Sequence, residues 1–255
     1  MSSTSDATHE AHADHAHDPY LAHHFDDAEQ QYDAAKMGMW TFLVTEILFF
    51  SGLFCAYAVY RSLYPELFQG AGKYLDTTLG ATNTIVLLFS SLTMAWAVRC
   101  AQLGQKKGLV LTLTLTLLCA FGFLGIKYHE YAHKFHTGLL PGSHYQAALH
   151  QSTEWLEEHG YDPHSHAPVP AAVEQAALAK DGRSYGLFFD LYFAMTGLHG
   201  IHVLAGIVLI LFLLVRSLQG RIGAKNFTIV DNVGLYWHLV DMIWIFLFPL
   251  LYLIN

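Results

Sequence analysis

Five apolar runs, at about 37–63, 77–101, 108–132, 185–216 and 230–254, each exceed the ~20 residues a helix needs to cross a bilayer. Lipid offers no partner for an open backbone, so runs of this kind fold as helices and the chain reads as all-α. Of its 255 residues, 53% are hydrophobic and only 13% charged, and the charges collect between the runs, unlike those of a soluble domain. The expected fold is a polytopic integral membrane helical bundle with five transmembrane helices.

Residues 1–36 hold six histidines and eight acids, with no basic n-region and no apolar h-region. They read as a disordered, solvated tail rather than a signal peptide, with weak metal affinity at most, and the first span acts as its own insertion signal. Basic residues set the orientation. Arg99, Lys106 and Lys107 follow the second span, and Arg216, Arg221 and Lys225 follow the fourth; the opposite short loop has only Arg61 and Lys73. This places the N-terminus inside and the C-terminus outside, with the acidic, His-rich segment 134–184 as an outer loop. Cys55, Cys100 and Cys119 lie in apolar runs at no ligand spacing and read as small apolar residues.

The first span carries one carboxylate, Glu46, roughly 10–14 Å along the helix from its start. A charge at that depth costs about 3 kcal/mol or more, so Glu46 calls for a partner, a proton or a protein interior. His199 and His202 in the fourth span, and His238 and Asp241 in the fifth, fall with it within roughly 7 Å of the midplane. Each pair has i, i+3 spacing, which predicts a shared helix face. Three readings of this layer stay open on the residues alone: a structural hydrogen-bonded network, a metal or haem site, and a proton or ion path. At the outer end of the third span, Glu130 stands between His129 and His133, a possible polar site where polar, aromatic-rich sequence is also ordinary.

Four stretches resemble subunit III of the haem-copper oxidases, the cytochrome c oxidase subunit III family: MGMWTFLVTEILFFSGLFCAY at 37–57, NTIVLLFSS at 83–91, TGLHGIHVLAG at 196–206 and YWHLVDMIWIFLFPLLYL at 236–253. They occur in family order over about 37–132 and 185–254. The resemblance implies that Glu46 is the family's buried, carbodiimide-reactive carboxylate, that His199, His202, His238 and Asp241 are the polar positions of the last two helices, and that Glu130 is the acidic position ending the corresponding helix. None of these binds a redox metal in the family, so the structural reading gains most.

By the same resemblance the chain is an accessory subunit of an enzyme of aerobic respiration that couples oxygen reduction to proton pumping. It would have no catalytic or metal site of its own. Haem and copper would reside in partner subunits; subunit I, subunit II and membrane lipids would be its partners, and phospholipid would be bound. Segment 134–184, which matches nothing in the family core, is a candidate contact with another respiratory complex. No nucleic-acid partner is expected, and the location implied is a bacterial inner membrane. The fuller form of the family has seven spans, and this chain lacks the first two. The rivals are a subunit III homologue of a quinol oxidase or nitric oxide reductase, a stand-alone proton or metal transporter, and a b-type haem protein using His199 or His202.

Overall fold

The computed structural model describes residues 22, 25–72, 75–136, 186–224 and 226–253. They form helices α1 (Ala28–Leu63), α2 (Pro65–Gly72), α3 (Thr77–Gln102), α4 (Lys106–His136), α5 (Gly186–Leu218) and α6 (Thr228–Tyr252), with no strand among the described residues. All but α2 are long and apolar enough to cross a membrane. Residues 1–21, 23 and 24 of the expected tail and 137–184 of the expected outer loop lie outside the described residues.

Helix α1 begins ahead of the hydropathy break at 37. Asp27 caps it, accepting from the Gln30 amide at 2.7 Å, and residues 28–36, rich in Ala, Glu, Gln and Lys, continue the helix into polar sequence. The tail expected over 1–36 therefore ends in helix from Ala28 onward. Lys36 pairs with Asp231 near the start of α6, and the Tyr32 hydroxyl donates to the same carboxylate at 3.3 Å. Helix α2 fills part of what the hydropathy pattern shows only as a connection. Pro65 opens it, and its buried Phe68 ring sits between Tyr57 of α1, at 5.1 Å, and Phe188 of α5, at 5.4 Å.

Helices α3, α4, α5 and α6 form a ring in which each packs on the next and α6 closes on α3. The α3–α4 contact is narrow: a Cβ on Gly108 would stand 2.8 Å from the Cys100 sulfur. Hydroxyls in both helices return to their own backbone, as Thr84 does to Gly80 and Thr112 to Gly108, each at 2.9 Å. Thr93 and Thr116 join the two helices at 2.8 Å. Between α5 and α6 the approach depends on Gly206, where a Cβ would lie 2.6 Å from the Trp237 ring.

Helix α1 lies outside the ring, mainly on α6 and less on α5. Its buried residues Leu43, Phe50 and Tyr57 recur every seven positions, one narrow stripe, and the Tyr57 hydroxyl donates to the Leu250 oxygen at 2.6 Å. That carbonyl is in the last turn of α6, where helix oxygens run out of intrahelical donors, so Tyr57 supplies one at the helix end.

The turns after α3 and α5 use the same device. Gly104 (φ 67°) and Gly220 (φ 72°) take left-handed backbone, and the amides of Gln105 and Arg221 return to the oxygens of Cys100 and Arg216. Lys106 then donates to the Leu218 oxygen at 2.8 Å, tying these two turns together at one end of the bundle.

Candidate functional site

Glu46 reaches across from α1 to α5, where its Oε2 lies 3.0 Å from His202 Nε2. The other ring nitrogen, Nδ1, is 2.7 Å from the Leu198 oxygen, one turn back in the same helix. A carbonyl only accepts, so Nδ1 carries a proton. The short contact at Nε2 then needs a proton on one side: either a carboxylic acid donates to a neutral ring, or an imidazolium donates to a carboxylate. Both forms are neutral as a pair. A carboxylate facing a neutral ring would set lone pair against lone pair, so the contact geometry calls for a proton between the two groups. The Phe50 ring edges onto His202 at 5.3 Å, and the Tyr236 hydroxyl of α6 donates to the His202 backbone oxygen at 3.0 Å. Three helices thus converge here.

The other midplane residues are elsewhere. His238 Nδ1 meets the Ser91 hydroxyl of α3 at 2.7 Å, while the adjacent Trp237 indole donates to Ser90 at 3.1 Å. Asp241 is buried beside Ser90 and Ser91, but neither of its oxygens closes to hydrogen-bonding geometry. His199 is buried between Phe123, at 5.7 Å, and Trp244, at 5.3 Å, and neither of its ring nitrogens has a partner among the described residues. The five expected members therefore divide into a Glu46–His202 pair on the α1–α5 seam, a His238–Ser91 contact between α6 and α3, and two enclosed groups without a direct bond to either. The expectation of a shared face for His199 and His202 gives way for a simple reason. Three residues turn a helix through about 300°, leaving about 60° between them, enough for His199 to face the ring interior and His202 to face α1.

The C-terminal end of α4 holds a charged cluster whose extent the sequence did not disclose. Glu130 is buried, and its Oε1 accepts from Tyr252 at 2.6 Å, Lys134 at 2.8 Å and Tyr192 at 2.9 Å. Its Oε2 accepts from Lys127 at 2.9 Å, and the same ammonium donates to Tyr252 at 2.7 Å. Lys127 also lies 4.6 Å from the Trp244 ring centroid, over its face. Beyond the span, burial lowers Lys134 from its ordinary value, and the Glu130 carboxylate pulls in the opposite direction. Of the expected outer site, Glu130 takes part in this cluster. His129 is exposed, and the His133 side chain lies outside the described residues. Lys127, Glu130 and Lys134 do stand at i, i+3 and i+7 in the sequence, a face that could have been read as one ionic stripe. Tyr192 and Tyr252 carry no such local signal.

Among the described residues no group of three His, Cys, Asp or Glu side chains could hold a metal ion. What the geometry supplies is a hydrogen-bonded pair between α1 and α5 and an ionic hub that joins α4, α5 and α6.

Comparison with known proteins gives one consistent answer. The family described as cytochrome c oxidase subunit III matches residues 16–155 and 174–255, which include all five long helices. Cytochrome c oxidase subunit 3 of Thermostichus vulcanus is 28% identical over 231 residues, covering 90% of this chain and 92% of the relative. Quinol oxidase subunit 3 of Bacillus subtilis is 29% identical over 224 residues, covering 86% of each. A protein of Aeropyrum pernix named heme-copper oxidase subunit I+III is 26% identical over 234 residues, covering 87% of this chain and 23% of that longer one.

Proposed function

The chain belongs to the cytochrome c oxidase subunit III family, and from that premise we propose that it works as the accessory subunit III of a respiratory haem-copper oxidase. The match across both blocks of helices carries the reading. On it, oxygen reduction and its haem and copper belong to partner subunits, and this chain supports proton uptake and access of lipid or oxygen without a redox centre of its own.

Subunit I is the proposed first neighbour. The Aeropyrum pernix relative supports this, because its name joins subunits I and III in one protein. Subunit II, membrane lipids and, through segment 134–184, another respiratory complex are further proposed contacts. The proposed setting is a bacterial inner membrane, with the His-rich tail and the Gly104 and Gly220 turns inside and the C-terminus outside. Arg99, Lys106, Lys107, Arg216 and Arg221 all gather at the end of the bundle that holds those turns, as the excess of basic residues on the inner side requires.

Glu46 and His202 take the role of a fastener. They hold α1 on the ring through a bond that lipid cannot replace, while Asp241, His199 and His238 give the ring a polar interior at the same depth.

A mild-detergent purification through a tag on this chain tests the reading. A multi-span haem-copper subunit with its haem bands in the reduced-minus-oxidised spectrum is expected to come with it. A chain recovered alone and colourless in stoichiometric yield would overturn the proposal.

A further inference from the structure

The ring of α3–α6 encloses polar side chains whose hydrogen bonds its own residues leave unmade. Asn83 of α3, His199 of α5 and Asp241 of α6 are each at most 2% exposed, and no side-chain nitrogen or oxygen of the three has a partner among the described residues. Trp244 ties them to one place. Its indole donates at 3.1 Å to Thr84, the residue after Asn83, its ring centroid lies 5.3 Å from that of His199, and Asp241 precedes it by one turn of α6. Asn83 shares the buried stripe of α3 with Gly80, Leu87 and Ser90, so it faces into the ring.

The same interior runs on into the hub at the end of α4. Lys127 lies 4.6 Å from the Trp244 ring centroid, and a Cβ on Gly80 would stand 3.0 Å from the Tyr252 ring, whose hydroxyl is bound to both Lys127 and Glu130. In the other direction Asp241 lies beside Ser90 and Ser91, and Ser91 meets His238 at 2.7 Å on the α3–α6 seam. From Asp241 to Tyr252 the distance along α6 is roughly 16 Å.

Lipid offers these groups no hydrogen bond, and an amide, an imidazole and a carboxyl together call for both donors and acceptors. An anion would meet the Asp241 carboxyl, and a cation would meet the Lys127 ammonium. Water both donates and accepts, and a buried water makes about three hydrogen bonds to groups of this kind. We infer that the interior of the ring binds a chain of ordered water running from Asp241 past Asn83 and His199 to Lys127, which joins the midplane polar groups and the hub in one hydrogen-bonded network. The inference rests on the membrane reading of these helices and is independent of which subunits assemble with the chain.

Radiolytic footprinting of the tagged chain in mild detergent, with whatever subunits accompany it, tests this, because hydroxyl radicals made from bound water oxidise the side chains beside it. Phe123 edges onto both His199 and Trp244, whereas Phe68 and Phe188, equally buried, edge onto each other. Phe123 is expected to be oxidised at least about fivefold faster than either of them, as a side chain beside resident water should be. Backbone amide exchange around Phe123 is expected to be as slow as around Phe188. A double variant, His199→Leu with Asp241→Leu, removes groups that hold the water and is expected to bring Phe123 down to the level of Phe68. Oxidation of Phe123 no faster than that of Phe68 in the unaltered chain would overturn the inference, and that measurement stands whether or not the variant folds. Fast oxidation accompanied by fast amide exchange would also overturn it, since the label would then report opening of the helices, as would unchanged oxidation in a folded double variant.

Discussion

His202 gives its Nδ1 proton to the Leu198 oxygen at 2.7 Å, so the bond from Nε2 to Glu46 depends on a second proton that either partner can hold. The two forms respond differently to substitution. In Glu46→Gln the amide can still donate to a neutral ring, reproducing the acid form, whereas Glu46→Ala leaves Nε2 without that partner, beside the Phe50 ring. An interhelical hydrogen bond in a membrane contributes about 1–2 kcal/mol. Glu46→Ala is therefore expected to lower the thermal midpoint in detergent by that equivalent, with Glu46→Gln close to the parent. Equal losses in the two variants would mean that the pair is a carboxylate and an imidazolium. Glu46 could be singled out from its sequence alone, because a lone carboxylate in an apolar run demands a partner. Its choice of His202 over His199 could not be, since it depends on a rotation of about 60° about α5 that only the packing of α1 fixes.

At the scale of the helix, the hub at the end of α4 shows why one carboxylate can matter more than its two cations. Glu130 accepts from Lys127, Lys134, Tyr192 and Tyr252, so removing its charge leaves two buried ammoniums facing each other. Breaking a buried pair in this way costs about 3–5 kcal/mol. Glu130→Gln should therefore loosen the junction of α4, α5 and α6, and adding Lys134→Met should recover part of the loss; the thermal midpoint and the proteolysis rate of the three variants read both effects. The sign with pH is fixed by Lys134. Burial lowers it relative to the unfolded chain, so its protonated form opposes folding, and stability should rise as pH moves from the folded value toward the ordinary 10.5. Absence of that rise in Lys134→Met would tie it to this residue, and its persistence would assign it to another group. The apolar lengths reveal the long helices, but not α2 or the start of α1 at Ala28. Both are short polar or mixed segments whose helicity comes from a cap or from packing, as with Asp27 and Phe68.

In the whole molecule, the number of crossings follows from apolar length, whereas the pairing of helices does not. Membrane helices are apolar on both their lipid-facing and protein-facing sides, so periodicity separates the faces poorly. On α3 the exposed Ile85, Leu88, Phe89, Leu92 and Trp96 are as apolar as the buried Leu87 and Met94. The interior is marked instead by small and hydroxylated residues, such as Ser90, Thr93 and Gly206, which permit close approach. Topology is a global property with its own test. The α3–α4 turn at Gln105 and the α3 N-terminus at Thr77 are both exposed, and helix α3 separates them along the bundle. With Cys55, Cys100 and Cys119 replaced by Ala, a cysteine at position 105 should resist a membrane-impermeant maleimide in intact cells, and one at position 77 should react. Permeabilisation should make both reactive. The distribution of Arg99, Lys106, Lys107, Arg216 and Arg221 requires this pattern, because translocating that end would carry all five basic residues across the membrane. Labelling at 105 but not at 77 in intact cells would invert the molecule and put the Gly104 and Gly220 turns on the outer surface.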